Sequence, residues 1–247
     1  ALTKGPDLAQ TEQISLRLAA CLLAGGDADG ALARLATVGA KPVNPNTPAR
    51  AAYLAGEALL LKKQPDKAVE QLKAFRDNGQ YHNLPNLSDR AMLRLGQALA
   101  AGGQHEPARQ AFETLIQRYP ASPWVPYAFY EMGRSLQAQK RHDDAVKAYA
   151  EVIQRTVVEI AAMAQFQIGA CRAEQLRYAD AAGQFLLVPM TYDYPERSAA
   201  ALYEAARASE AMKQPAEAAR LYREVLRDHP RTSWAKLSAD RLVAIGQ

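Results

Sequence analysis

The residues of this chain that could do chemistry beyond packing are few: four histidines, two cysteines and two glycine pairs. The histidines are His82, His105, His142 and His229. His142-Asp143-Asp144 puts an imidazole beside two carboxylates, the donor set of a divalent metal. Adjacent residues on a turn do not converge as ligands at i and i+4 do, so the triplet reads as the start of a helix. Gly25-Gly26 and Gly102-Gly103 could cradle a phosphate only if a strand led into them, and none is signalled there. No histidine falls near Cys21 or Cys171 in the pattern described below, so a Cys–His nucleophile has no candidate pair. No two acidic residues suggest a catalytic cleft. The expectation is a chain with no catalytic residues, no metal and no cofactor.

Charge narrows the partners. Lys and Arg number 30 against 26 Asp and Glu, a net +4, and the signs are interleaved along the chain. Without a run of five like charges, nothing demands nucleic acid or a membrane surface. No segment approaches the ~18 consecutive apolar residues of a membrane span, so no membrane insertion is expected. Leu18-Ala19-Ala20-Cys21 looks like a lipoprotein cleavage box, but Asp7, Gln10, Glu12 and Gln13 precede it where an apolar stretch is required. The chain opens on Ala rather than Met, which suggests a processed or excised piece with any targeting segment upstream.

The elements that position these residues are helices. Apolar residues make up 49% of the chain, and Ala, Leu, Glu, Gln and Arg dominate, with Pro and Gly clusters at short intervals. One spacing recurs: a small residue, Ala twelve positions later, then a bulky apolar residue four after that. It reads Gly96, Ala108, Phe112; Gly133, Ala145, Tyr149; Gly169, Ala181, Phe185; and Ala206, Ala218, Tyr222. In phase upstream stand Gly56, Ala68, Leu72 and Ala19, Ala31, Leu35. Pro120 and Pro230 follow twelve after the Ala.

This pattern resembles the tetratricopeptide repeat, a helix A–turn–helix B hairpin of about 34 residues. The resemblance runs over nearly the whole chain and implies an all-α, right-handed solenoid over 1–247. Its repeats would be 12–45, 49–82, 89–122, 126–159, 162–195 and 199–232, with a capping helix at 233–245. The small residue is expected to face the Ala where the two helices approach. Asp66, Glu106, Asp143, Asp180 and Glu217 fall in the first turns of successive B helices, where the dipole favours them. The glycine pairs fall at the A–B turn. The stretch 77–88, with Asn78-Gly79 and Leu84-Pro85-Asn86, reads as a tolerated insertion, or else a hinge or contact loop. Cys21 and Cys171 both take the tenth repeat position, a small buried site, four repeats apart and beyond disulfide reach.

Two phrases narrow the resemblance. Tyr119-Pro120-Ala121-Ser122-Pro123-Trp124, followed by Tyr127 to Gly133, is similar in style to bacterial envelope members of the family, namely the Tol-Pal-associated periplasmic protein and the outer-membrane assembly lipoprotein. His229-Pro230-Arg231-Thr232-Ser233-Trp234-Ala235 repeats that style. A periplasmic or envelope location follows as an expectation.

In the family, helix A lines the concave surface. Carried onto this sequence, that surface gains Arg50, Arg90 and Tyr127 at repeat position 2. Position 5 adds Tyr53, Tyr130, Phe166 and Tyr203, and position 9 adds Glu57, Gln97, Arg134 and Arg207. Tyr and Arg are enriched in binding hot spots. The expected function is a protein-interaction scaffold that holds an acidic or amphipathic protein or peptide in its groove. On that reading, changing Tyr130 or Arg134 weakens binding and leaves helicity intact. Rival readings are a docking segment of a larger enzyme, an RNA-reading helical repeat, and self-association through open solenoid ends.

Overall fold

The computed structural model describes residues 8–38 and 42–246, and every regular element among them is helical. The helices are α1 (Leu8–Ala24), α2 (Ala28–Leu35), α3 (Thr47–Leu61), α4 (Pro65–Leu72), α5 (Ala74–Asp77), α6 (Ser88–Ala101) and α7 (His105–Arg118). They continue as α8 (Val125–Ala138), α9 (His142–Arg155), α10 (Glu159–Glu174), α11 (Tyr178–Thr191), α12 (Pro195–Ala211), α13 (Pro215–Asp228) and α14 (Ser233–Ala244). A 3-10 turn, Gly79–Tyr81, lies between α5 and α6. The architecture is an all-α, solenoid-type repeat of antiparallel hairpins. It divides into two units, Ala1–Ala128 and Phe129–Gln247, with α8 beginning in the first.

The hairpin turn is the same object each time. Its central residue takes the left-handed conformation: Gly26, Lys63, Gly103, Lys140, Leu176 and Lys213 all have φ between 55° and 82°. The next residue's N–H then reaches back five positions, as in Asp27 to the Leu22 carbonyl at 2.8 Å and Arg177 to the Arg172 carbonyl at 2.9 Å. This closes the end of helix A and satisfies carbonyls the helix leaves open. Only two of the six positions carry Gly, which adopts this backbone without a Cβ penalty. Leu176 is the least suited, with φ of 61° and a side chain 71% exposed. Leu176→Gly is therefore expected to stabilise the fold by about 1 kcal/mol, read as a raised urea midpoint at unchanged slope.

The recurrent Ala is fully buried in every hairpin: Ala31, Ala68, Ala108, Ala145, Ala181 and Ala218. The reason for the small residue differs from the sequence expectation. A Cβ at Gly96 would lie 2.3 Å from the Phe112 ring, at Gly133 2.5 Å from Tyr149, at Gly169 2.7 Å from Phe185, and at Gly56 2.5 Å from Leu72. The atoms nearest to where that Cβ would stand thus belong to the bulky residue sixteen positions on. That bulky side chain lies across the A helix, and the missing Cβ is the space its edge fills. Phe112, Tyr149, Phe185 and Tyr222 are among the largest fully or nearly fully buried side chains.

Two long connections are pinned. Glu12 on α1 accepts hydrogen bonds from Val43 N at 2.6 Å, Thr47 Oγ1 at 2.9 Å and Asn44 N at 3.4 Å, fixing the entry to α3. The Val43 N–H bond leads in lowering the Glu12 pKa below the usual carboxylate range. The 77–88 stretch is held at several points. Tyr119 donates its hydroxyl to the His82 carbonyl at 2.6 Å, and Ser88 Oγ donates to the Tyr81 carbonyl at 2.6 Å while accepting from Leu84 N at 2.8 Å. Phe75 is buried and stacks on Tyr81 at 5.5 Å. The segment is a built connection with its own anchors.

Candidate functional site

In the first unit, α3 and α6 carry the expected side chains in successive hairpins. Their i, i+3 and i+4 spacing puts Arg50, Tyr53 and Glu57 on one face of α3, and Arg90, Arg94 and Gln97 on one face of α6. Tyr53 is only 5% exposed. The Arg90 guanidinium stands 5.3 Å from the Tyr53 ring centroid and 5.6 Å from that of Trp124, a cation between two aromatic faces. Arg94 Nε donates to Glu57 Oε1 at 2.9 Å, and its Nη1 donates to Gln97 Oε1 at 2.8 Å. Arg90 reaches the same Glu57 oxygen at 3.5 Å. Burial works against the charge on Arg94, and Glu57 more than offsets it, so its pKa rises. Burial first, and Glu57 second, push the Tyr53 phenol well above its ordinary value. Its hydroxyl is buried and makes no hydrogen bond of normal geometry among the described residues. Arg50 is exposed, and Tyr127 sits beside Trp124 at 5.4 Å.

In the second unit, the expected row of aromatic side chains is largely interior. Tyr130 is 6% exposed and packs on Tyr149 with centroids 5.6 Å apart. Phe166 meets Phe185 at 5.1 Å, and Tyr203 lies against both Tyr222 at 5.5 Å and Trp234 at 5.3 Å. Each A-helix ring thus rests on the B-helix ring of its own hairpin, at interplanar angles of 55° or 56°. What faces outward is charge. Arg134 pairs with Glu131 at 3.2 Å and Arg207 with Glu204 at 3.1 Å, both i,i+3 pairs with the arginine largely exposed. Tyr53 and Tyr130 are therefore packing residues, and Arg134 and Arg207 are the exposed members of the expected set in this unit. Arg94, Glu131 and Glu204 were missed from sequence, although each stands three residues from a chosen position 9 residue. Trp124 joins this group through Arg90, a contact that its place in the Tyr119–Trp124 phrase does not signal.

The cysteines divide. Cys171 is buried as expected, and burial pushes its thiol up to about 12, so it stays protonated. Cys21 is exposed, contrary to expectation. Cys171 packs with Tyr130, Ala145, Tyr149 and Val152 of the hairpin before it. His142 Nδ1 lies 3.6 Å from Glu174 Oε2, away from its neighbouring aspartates' ion pairs with Arg172 and Arg141. Among the described residues no group of three or more His, Cys, Asp or Glu could hold a metal, and no helix is long and apolar enough to cross a membrane.

Sequence profiles of the tetratricopeptide repeat match residues 90–122, 130–188 and 200–232, together just over half of the chain. No curated protein matches the sequence significantly. Solved structures of similar fold include the apo form of the quorum sensor NprR from B. thuringiensis, at TM-score 0.71 and 15% identity, covering 98% of this chain and 71% of that one. The apo form of RapI aligns at TM-score 0.70 and 12% identity over 95% of this chain and 70% of that one. PilF of Pseudomonas aeruginosa aligns at TM-score 0.65 and 16% identity over 93% and 97%. At these identities the likeness is one of fold. Repeated hairpins, a recurrent left-handed turn and profile matches in both units agree: the chain belongs to the tetratricopeptide-repeat family.

Proposed function

We propose that this chain is a scaffold that holds a protein or peptide segment on the exposed face of its A helices, in keeping with a repeat family whose members generally mediate protein–protein interaction and whose fold is typically non-catalytic. The observation that carries the reading is the fixed display of guanidiniums there. Arg90 is held between two aromatic rings and shares Glu57 with Arg94. A guanidinium already immobilised loses little further entropy on pairing with a carboxylate. The similarity to an apo quorum sensor supports a ligand-binding reading of the same fold. An envelope location is proposed on the Tyr119–Trp124 and His229–Ala235 phrases, and cell fractionation tests it. The function is tested by affinity capture from the native extract with wild type and an Arg50→Glu/Arg134→Glu/Arg207→Glu variant. A protein retained by wild type and lost by the variant is the expected result. Equal capture at equal stability contradicts it.

A further inference from the structure

The A-helix face of the first unit is not uniform. Two adjoining recesses open between α1 and α3, of about 380 and 340 Å³, and they share Ala20, Tyr53 and Leu54 as a common floor. One runs on over Leu23 and Leu61 to Glu57 and Arg90. The other runs on past Arg17 and Arg50 to a wall made by Pro85, Asn86 and Leu87. That wall is the end of the 77–88 connection, which hydrogen bonds at Tyr119, Ser88 and His82 hold in place.

Charge decides what fits. Three guanidiniums line the recesses, from Arg17, Arg50 and Arg90, against the single carboxylate of Glu57 among the described residues. Glu57 is already shared by Arg90 and Arg94. Arg17 and Arg50 are exposed and have no carboxylate partner among the described residues. The floor is apolar and the rim carries uncompensated positive charge.

Resting on the scaffold function proposed above, we infer that this double recess takes an extended acidic peptide segment in which an apolar side chain stands beside a carboxylate. The apolar side chain lies on Ala20, Leu54 and the edge of Tyr53. The carboxylate is received by Arg17 and Arg50 at the rim, where guanidinium forks match its geometry. The pinned 85–87 wall closes one end, so the site is formed before the ligand arrives. The insertion, which sequence alone makes a tolerated loop, is on this account a specificity element.

Random seven-residue peptides displayed on phage and selected against the whole chain test this. Enriched sequences are expected to place Asp or Glu beside Leu, Ile or Phe. A synthetic copy of the leading peptide should bind Arg17→Glu/Arg50→Glu about tenfold more weakly or worse. Both positions are exposed, so helicity by circular dichroism should be unchanged. Leu54→Glu should weaken the same peptide through the floor, whereas Lys147→Glu, exposed on α9 in the other unit, should leave its affinity within about twofold. Enriched peptides without acidic residues overturn the inference, as does an acidic peptide indifferent to Arg17→Glu/Arg50→Glu. Either result leaves the scaffold function standing. No enrichment above an unrelated helical protein overturns both.

Discussion

Phe112→Ala is expected to destabilise the first unit by about 3–5 kcal/mol, the cost of removing a fully buried ring that its surroundings cannot close over. Gly96→Val is expected to cost about 2–3 kcal/mol from the opposite cause. A Cβ there would stand 2.3 Å from the Phe112 ring, which is fully buried. The favourable helix propensity of replacing Gly, under 1 kcal/mol, does not offset this. The two effects share one volume. The double variant should therefore be more stable than the sum of the singles implies, by about 1 kcal/mol or more. Urea unfolding of all four proteins measures this coupling directly. Additive losses would mean that Gly96 is small for some reason other than the ring.

The second large effect separates packing from binding. Tyr130→Ala should cost about 3–4 kcal/mol, because the ring is 6% exposed and rests on Tyr149 at 5.6 Å. Arg134→Glu, one turn further along the same face, should stay within about 0.5–1 kcal/mol, since the Arg134 side chain is 60% exposed and its i,i+3 ion pair is screened on that side. Thermal melts of the two variants test this. If Tyr130→Ala melts like wild type, the ring is a surface group and belongs to the contact face. If it melts far lower, any loss of binding by Tyr130→Ala reports folding, and only Arg134→Glu is a clean probe of the groove.

The sequence carried the hairpins because their marks are local and repeated. Ala at the closest approach, acid in the first turn of helix B and proline beyond its end each follow from one helix and its own turn. The left-handed turn was legible only where Gly stands, at Gly26 and Gly103; at Lys63, Lys140, Leu176 and Lys213 the backbone adopts it against residue preference, which composition cannot show. The role of the small residue was misread because pattern spacing names the Ala and the ring equally well, and only packing shows that the ring occupies the space. The site was legible at the level of the face and not of the atom. Positions 2, 5 and 9 lie on one side of helix A, but whether a ring at position 5 points out or beds on its hairpin partner depends on the size of that partner. Where the partner is Tyr149, Phe185 or Tyr222, the two rings stack. The exposure of Cys21 was not legible, because it takes the same repeat position as the buried Cys171.

The most direct test of an A-helix binding face is site-specific photo-crosslinking in the native cell, with a benzophenone amino acid placed singly at Arg50, Arg134 or Arg207 on the A helices, or at Lys147 on α9. All four side chains are exposed. The account predicts that the A-helix positions trap a shared partner and that Lys147 does not. A partner trapped from Lys147 and from none of the three arginines would contradict it, and would move the binding surface to the B helices.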